Sequence, residues 1–487
     1  MLRITGLLFM LAATLGAAPK ESAITRLGGS RITSAEIDQT VTRLMQAAQV
    51  TGTGIAIIDG GKIAYLKAYG FRDKEKQLPL TEQSVMAAAS LTKSAVAYLV
   101  MQLVEQGRIN LDTPVTELLP KPLAEYPEYR DLASDPRHLK ITPRMLLSHT
   151  SGFPNFRQLN RDGKLNINFE PGSRYAYSGE DLFLLQILVE TITRKPIADL
   201  MREQVFVPLG MTRTSMISEA RFGADVSQAY DDRSRPLGVQ QSTRADAAGS
   251  MQTTLSDFAR FMLAVAEGRR LRMATKELML SPQIEIVSKH QFPTLDRQTT
   301  EENKAIHLSY GLGWGLFFTP YGRAFFKEGH FDQGFRHYAV IFDQQKKGLV
   351  ILTNSSNGEG MFKELLETLL GNTFTPIEWE GFTPYNLLPA RTPLKEHKEI
   401  TLEPKTLDRY IGRYSIPGAT MTVTREAARL FLQENDEPKV EIFAEGESQF
   451  FSKVSEDVVT FEGDAGGKAA TMLIHAEGRS IPLKRTE

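Results

Sequence analysis

Hydrophobic positions in this chain recur with two different periods, and the switches between them mark out its elements. Thr33 and Glu36 form the capping-box pair that opens a helix, and Ile37, Val41, Leu44, Met45 and Ala48 then fall on one helical face. The period shortens next. Ile55-Ala56-Ile57-Ile58 and Ile63-Ala64-Tyr65-Leu66 flank Asp59-Gly60-Gly61-Lys62, the composition of a tight hairpin turn. From Ser90 the helical period returns, with Val96, Leu99, Val100, Leu103 and Val104 as an apolar stripe and Gly107 as a stop. Asn110 to Leu280 carries mainly helical signals broken by Pro and Gly. A second hairpin follows, in which Tyr338, Val340 and Phe342 alternate in, Gln344 to Lys347 turn, and Leu349, Ile351 and Thr353 alternate back. Phe362 to Leu370 reads as a closing helix. These elements predict an α+β fold: an antiparallel sheet flanked by helices, with a helical insert.

From Gly371 to Pro404 periodicity fades and Pro376, Pro384, Pro389, Pro393 and Pro404 accumulate, so residues 373–404 read as a linker. Beyond it, short alternating pairs such as Met421 and Val423, Leu430 and Leu432, Val459 and Phe461, and Met472 and Ile474 predict a small all-β sandwich or barrel over 405–487. The preceding domain-sized segment spans 32–372. At the other end, Met1-Leu2-Arg3, an apolar stretch from Ile4 to Gly16 and Ala17-Ala18-Pro19 have the order of a secretory signal peptide over 1–18. An exported protein, periplasmic or secreted, is the expectation. After loss of that segment no stretch approaches the ~20 apolar residues of a membrane span.

Composition narrows the chemistry. The 487 residues are 41% hydrophobic and 24% charged with a formal net charge of −1 and no basic run, which leaves nucleic-acid phosphates without a partner. Cysteine is absent, so disulfides, thiolate catalysis and Cys-based metal sites are excluded. The eight histidines are scattered without a His-Glu-x-x-His cluster, and no metal is expected. No Gly-x-Ser-x-Gly occurs, which disfavours an α/β-hydrolase.

One local pattern does carry chemistry. Ser90-Leu91-Thr92-Lys93 places a hydroxyl and an amine one helical turn apart at the start of a helix, where the amine can take the serine proton and the exposed N–H groups favour an oxyanion.

Together with Gly107-x4-Asp112-x-Pro114-Val115, Ile141 to Gly152 (ITPRMLLSHTSG), Pro171-Gly172-x4-Tyr177-Ser178, Pro208-Leu209-Gly210-Met211 and Ala247 to Asp257, this motif resembles the serine β-lactamase and penicillin-binding-protein superfamily. Within it, the likeness is to the class C β-lactamase, D-alanyl-D-alanine carboxypeptidase and esterase-like branch, over roughly Ile32 to Asn372. The resemblance implies the β-lactamase/transpeptidase-like fold, with Ser90 as the acylated nucleophile, Lys93 as its proton partner and Tyr177 completing the triad. Tyr175 is a competitor for that last place. The family triplet Tyr-x-Asn stands here as Tyr177-Ser178-Gly179, so either Glu180, Asp181 or a water replaces the missing amide or the site is altered. Ser148 and His149 are expected to shape a turn under the site.

The family's third motif, Lys-Thr-Gly or His-x-Gly, falls within Phe325 to Phe335 in one of three registers: Lys327-Glu328-Gly329, Gly329-His330, or one that puts Glu328 at the cationic position. Lys327, Gly329 and His330 are the candidate substrate-binding residues, with Lys327 or His330 as the cation. The resemblance implies a serine hydrolase working by acyl transfer on a small-molecule or peptide substrate, such as a D-amino-acid peptide or small ester, with no cofactor. A β-lactamase, or a scaffold that kept the fold without catalysis, are the rival readings. The C-terminal piece resembles the small β domain appended to many bacterial members, with packing, assembly or lipocalin-like binding as its expected uses.

Overall fold

The computed structural model describes residues 23–160, 162–331, 333–388, 397–416, 419–435, 439–453, 457–464, 466–476 and 479–486. The signal-peptide segment 1–18 lies outside them, as do Pro389 and Pro393 of the linker reading.

A nine-stranded antiparallel sheet organises the larger part. Its strands in chain order are β1 (Gly52–Asp59), β2 (Lys62–Asp73), β3 (Leu78–Pro79), β4 (Ile284–Glu285), β5 (Ser309–Tyr310), β6 (Gly315–Thr319), β7 (Gly322–Phe331), β8 (Phe335–Phe342) and β9 (Lys347–Thr353). They lie side by side as β4-β5-β6-β7-β8-β9-β1-β2-β3. Both predicted hairpins form, with Tyr338 opposite Ile351 in the second and Gly60 and Gly61 at φ of 61° and 74° in the turn of the first. Positive φ at two successive turn residues is what admits glycine there.

The central strands are apolar on both sides because both faces are covered. Ile55, Ile57, Tyr338, Val340, Phe342 and Ile351 enter one core, while Ala56, Ile58, Ala339, Ile341, Val350 and Leu352 enter the other. Helix α1 (Ser34–Ala48) packs Ile37, Val41 and Leu44 on the first face, its capping box between Thr33 and Glu36 formed as expected. The closing helix, Phe362–Leu365 continued by a wider turn over Leu366–Leu370, joins it there.

Helices α2 (Leu91–Glu105), α3 (Gly179–Thr193) and α4 (Leu255–Glu267) belong to the second core. Helix α2 differs from the amphipathic expectation, since every residue from Leu91 to Leu103 is buried, Thr92, Lys93 and Gln102 included. A helix enclosed on all sides holds its polar groups in a low-dielectric interior.

The stretch read as a linker is not uniform. Its short helix Ile377–Glu380 buries Ile377 and Trp379, with Phe382 just beyond, in the first core against the sheet. These three large side chains explain why a proline-rich segment stays attached: together they remove apolar surface on the scale of several kcal/mol from water.

The C-terminal strands close into an eight-stranded antiparallel barrel, from Gly412–Ile416 round to Arg479–Arg485. Tyr410, Tyr414, Val423, Phe450, Phe461, Met472 and Leu483 make up its buried core, and the Arg485 guanidinium lies 4.7 Å from the Tyr414 ring centroid. Closure leaves no open sheet edge, so the barrel buries its own apolar face. No helix among the described residues is long and apolar enough to cross a membrane.

Candidate active site

Ser90 is the N-terminal boundary residue of α2, yet its side chain makes no capping hydrogen bond, so the hydroxyl is available to Lys93. The Lys93 Nζ lies 3.1 Å from Ser90 Oγ and donates to the Ala248 carbonyl at 2.7 Å. The approach to the nucleophile is strained: Ala89 adopts φ of 48°, a left-handed conformation that a residue with a Cβ rarely takes. Three contacts hold it. The Ala88 N–H donates to Met251 O at 2.7 Å, Thr92 Oγ1 donates to Ala89 O at 2.6 Å and the Met251 N–H donates to Thr92 Oγ1 at 3.1 Å. The Ala247 to Asp257 motif thus serves as the splint of the nucleophile turn. Asp246 stiffens it by accepting from the Ala248 and Gly249 N–H groups at 2.9 and 2.7 Å.

Burial, with the nearby Lys327 charge as a smaller contribution, pulls the Lys93 amine down to about 7. An ordinary lysine would be a cation in neutral water, whereas this one is neutral in about half the molecules at pH 7.

Tyr177 comes from the extended turn before α3, and Ser178 caps that helix by accepting from the Asp181 N–H at 3.1 Å. Its hydroxyl lies beside the Ser90 side chain, and its ring lies 5.0 Å from Lys93 Nζ and 4.9 Å from Lys327 Nζ. Burial, reinforced by the Glu328 carboxylate, keeps the phenol protonated well above its usual range. The hydroxyl, amine and phenol that the sequence scatters over residues 90, 93 and 177 therefore meet. Tyr175 does not join them, since it packs instead against Tyr310 and Trp379 in the first core.

Strand alternation settles the register of the third motif. Gly329 pairs with His337, and a Cβ added at Gly329 would sit 2.8 Å from the Ala88 carbonyl, so this position faces the nucleophile turn and admits no side chain. Lys327, two residues earlier, is fully buried with Nζ 3.4 Å from the Tyr177 hydroxyl. Past the Gly315 to Phe326 pair, β7 has no β6 residue beside it, and Glu328 meets Lys327 there at 2.5 Å.

His330 corrects the sequence expectation. It lies one position out of phase with Lys327 and Gly329, its side chain is 42% exposed, and its Nδ1 is 3.4 Å from Glu359. A period of two carries it away from Ser90. The register that put Glu328 at the cationic position fails as well, because Glu328 partners the cation.

The missing asparagine is not replaced by Glu180 or Asp181. Glu180 is bound by the Arg157 guanidinium at 2.6 Å, while Asp181 is held by Ser151 and lies 3.1 Å from His149 Nδ1. A Cβ at Gly179 would meet the Phe156 ring at 2.6 Å and the Asn155 carbonyl at 3.0 Å, so an aromatic ring fills the space beside that position. The His149 ring packs against Tyr177, with centroids 4.7 Å apart and planes tilted by 49°, in line with the supporting role expected for it. Burial moves Asp181 up and His149 down.

Sequence reasoning missed two residues. His337 bonds the Ala87 carbonyl through Nε2 at 2.8 Å and accepts from the Thr353 N–H at 3.3 Å, and burial lowers it to about 4. Its partner Gly329 across the strand pair was the available signal. Glu380 is buried within electrostatic reach of Lys327 and Glu328, in a segment whose prolines suggested a linker. Burial raises its carboxyl well above the usual range.

A serine held behind a strained Ala89, a lysine deprived of solvent and a buried phenol on an α+β scaffold are the arrangement of the serine hydrolase superfamily in which lysine stands in place of histidine. The chain matches the family described as Beta-lactamase over residues 37–370, more than half its length, and belongs to that family. Residues 396–485 match a domain of unknown function, DUF3471. Penicillin-binding protein 4* of Bacillus subtilis (strain 168) is 25% identical over 476 residues, covering 90% of this chain and 96% of that protein. Esterase EstB of Burkholderia gladioli is 29% identical over 211 residues, 38% of this chain and 52% of the relative. Among solved structures, the octameric penicillin-binding protein homologue from Pyrococcus abyssi superimposes with a TM-score of 0.58 at 19% identity, covering 93% of this chain and 99% of that one. D-alanine carboxypeptidase AmpC from Burkholderia cenocepacia gives 0.53 at 20% identity, covering 66% and 95%.

Proposed function

We propose that this protein is an exported serine hydrolase that acts through an acyl-enzyme on ester or amide substrates. The observation that carries the proposal is the 3.1 Å contact between Ser90 Oγ and a Lys93 amine poised near neutrality. In the proposed cycle the neutral amine accepts the serine proton as Oγ attacks the carbonyl, and the Ser90 N–H at the start of α2 stabilises the oxyanion. The protonated Tyr177 hydroxyl donates to the leaving group and is recharged from Lys93. Water then attacks the ester with the same groups acting in reverse. Relatives named as an esterase and a D-alanine carboxypeptidase support chemistry at ester and amide carbonyls.

Incubating the purified protein with a fluorophosphonate and, separately, a fluorescent penicillin, then mapping the adduct by mass spectrometry, tests the reading. Ser90 is the expected site. A folded protein that neither reagent modifies at Ser90 would favour the scaffold reading. Comparing turnover of p-nitrophenyl esters, D-Ala-D-Ala peptides and nitrocefin ranks ester, peptide and β-lactam substrates. The N-terminal mass of the protein recovered outside the cytoplasm tests export, with loss of residues 1–18 expected.

A further inference from the structure

The charges around this site are spent on each other, and its mouth is aromatic. Lys327 is fully buried, bonds Glu328 at 2.5 Å and also donates to the Glu328 carbonyl at 3.2 Å. Arg336 and His330 both turn to Glu359, at 3.0 and 3.4 Å. Arg157, next to Phe156, is engaged by Glu180. Lys93 is enclosed between Ser90 Oγ and the Ala248 carbonyl, at 3.1 and 2.7 Å. Lys327, which reaches the Tyr177 hydroxyl, thus already has a carboxylate, and a second carboxylate entering the pocket would be desolvated beside Glu328. Around the same opening stand two exposed aromatic rings. Phe292, 46% exposed, lies edge-on to Tyr177 with centroids 5.7 Å apart, and Phe156, 37% exposed, covers the Cβ-less face of Gly179. Large exposed aromatics beside a catalytic phenol are apolar surface that a ligand would cover.

We infer that the site selects uncharged substrates with an aromatic or bulky apolar acyl group, held between Phe156 and Phe292, and discriminates against substrates that carry a free carboxylate next to the scissile bond. The inference rests on the hydrolase reading above.

Two substrate pairs test it. Phenylacetylglycyl-lactamide and phenylacetylglycyl-lactate share one scissile ester and differ by one charge, and kcat/KM is expected to favour the amide by about tenfold or more. p-Nitrophenyl phenylacetate is expected to exceed p-nitrophenyl acetate after correction for their alkaline hydrolysis rates, and Phe156→Ala and Phe292→Ala should each reduce that preference by about three- to tenfold. Both rings are exposed, so these variants keep the fold. Leu387→Ala, an exposed apolar residue of the post-sheet segment, serves as the control with an unchanged preference. A lactate substrate hydrolysed as well as the lactamide would overturn the charge argument. A phenylacetate preference that is absent, or that survives both phenylalanine variants, would overturn the aromatic one. No turnover together with no fluorophosphonate adduct at Ser90 would remove the hydrolase reading itself, a result distinguishable from either.

Discussion

Titration of Lys93 offers the sharpest check on the chemistry. An ordinary lysine with a value of 10.5 would be neutral in about one molecule in three thousand at pH 7, whereas at a value of about 7 half the molecules carry the free amine. Burial in α2 therefore raises the concentration of competent base by about three orders of magnitude at neutral pH. The rate of Ser90 phosphonylation by a fluorophosphonate, with release of fluoride, followed by stopped-flow from pH 5.5 to 9.5, should climb with slope one and level off above about 7. Stability should move with it. The folded value lies below the unfolded one, so the unfolded chain binds more protons between pH 7 and 10.5, and the hydrolase domain gains stability as pH rises through that window. At pH 7 the burden of this buried amine is on the order of 4 kcal/mol. Lys93→Met should accordingly abolish phosphonylation while raising the melting temperature at pH 7 by a few degrees, less whatever is lost by leaving the Ala248 carbonyl unpaired. A phosphonylation profile whose midpoint lies above pH 9, or a methionine variant as fast as the parent, would refute the reasoning.

Other outcomes follow from the same geometry. Tyr177→Phe removes the hydroxyl between Ser90 and Lys327 and should lower kcat by about 10²- to 10⁴-fold with the far-ultraviolet spectrum intact, as steady-state kinetics and circular dichroism would show. Gly329→Val drives a side chain into the Ala88 carbonyl at 2.8 Å and should cost about 1–3 kcal/mol in urea unfolding while silencing the nucleophile turn; an active, undiminished variant would contradict the register assigned to β7. His337 is held near 4 against 6.5 for the free side chain, so the unfolded chain takes up the proton first, and stability should fall by about 3 kcal/mol as pH drops from 7 to 4. His337→Gln, which can keep both the donor to Ala87 and the acceptor for Thr353, should flatten that dependence in pH-resolved denaturation.

Much of this protein was written in its linear order. The capping box at Thr33 and Glu36, the two hairpins and the short strands of the tail are local: each depends on side chains within a few residues, so period and turn chemistry suffice to read them. The pairing of Ser90 with Lys93 is local too, one helical turn apart. Other features needed the folded chain, because they depend on what approaches from a distance. The Lys93 value is set by enclosure of α2 on every side, which no stripe count within the helix could reveal. The third motif offered three registers until the pairing of Gly329 with His337 and the approach of Ala88 selected one and sent His330 to Glu359. Prolines marked residues 373–404 as a linker, yet Trp379 and Glu380 are drawn under the sheet by an apolar face with room for them. Sequence determined which groups were available and their local geometry; only tertiary packing decided which of them lost water, met a partner and acquired a reactive charge state, because desolvation and long-range contact are properties of the assembled interior.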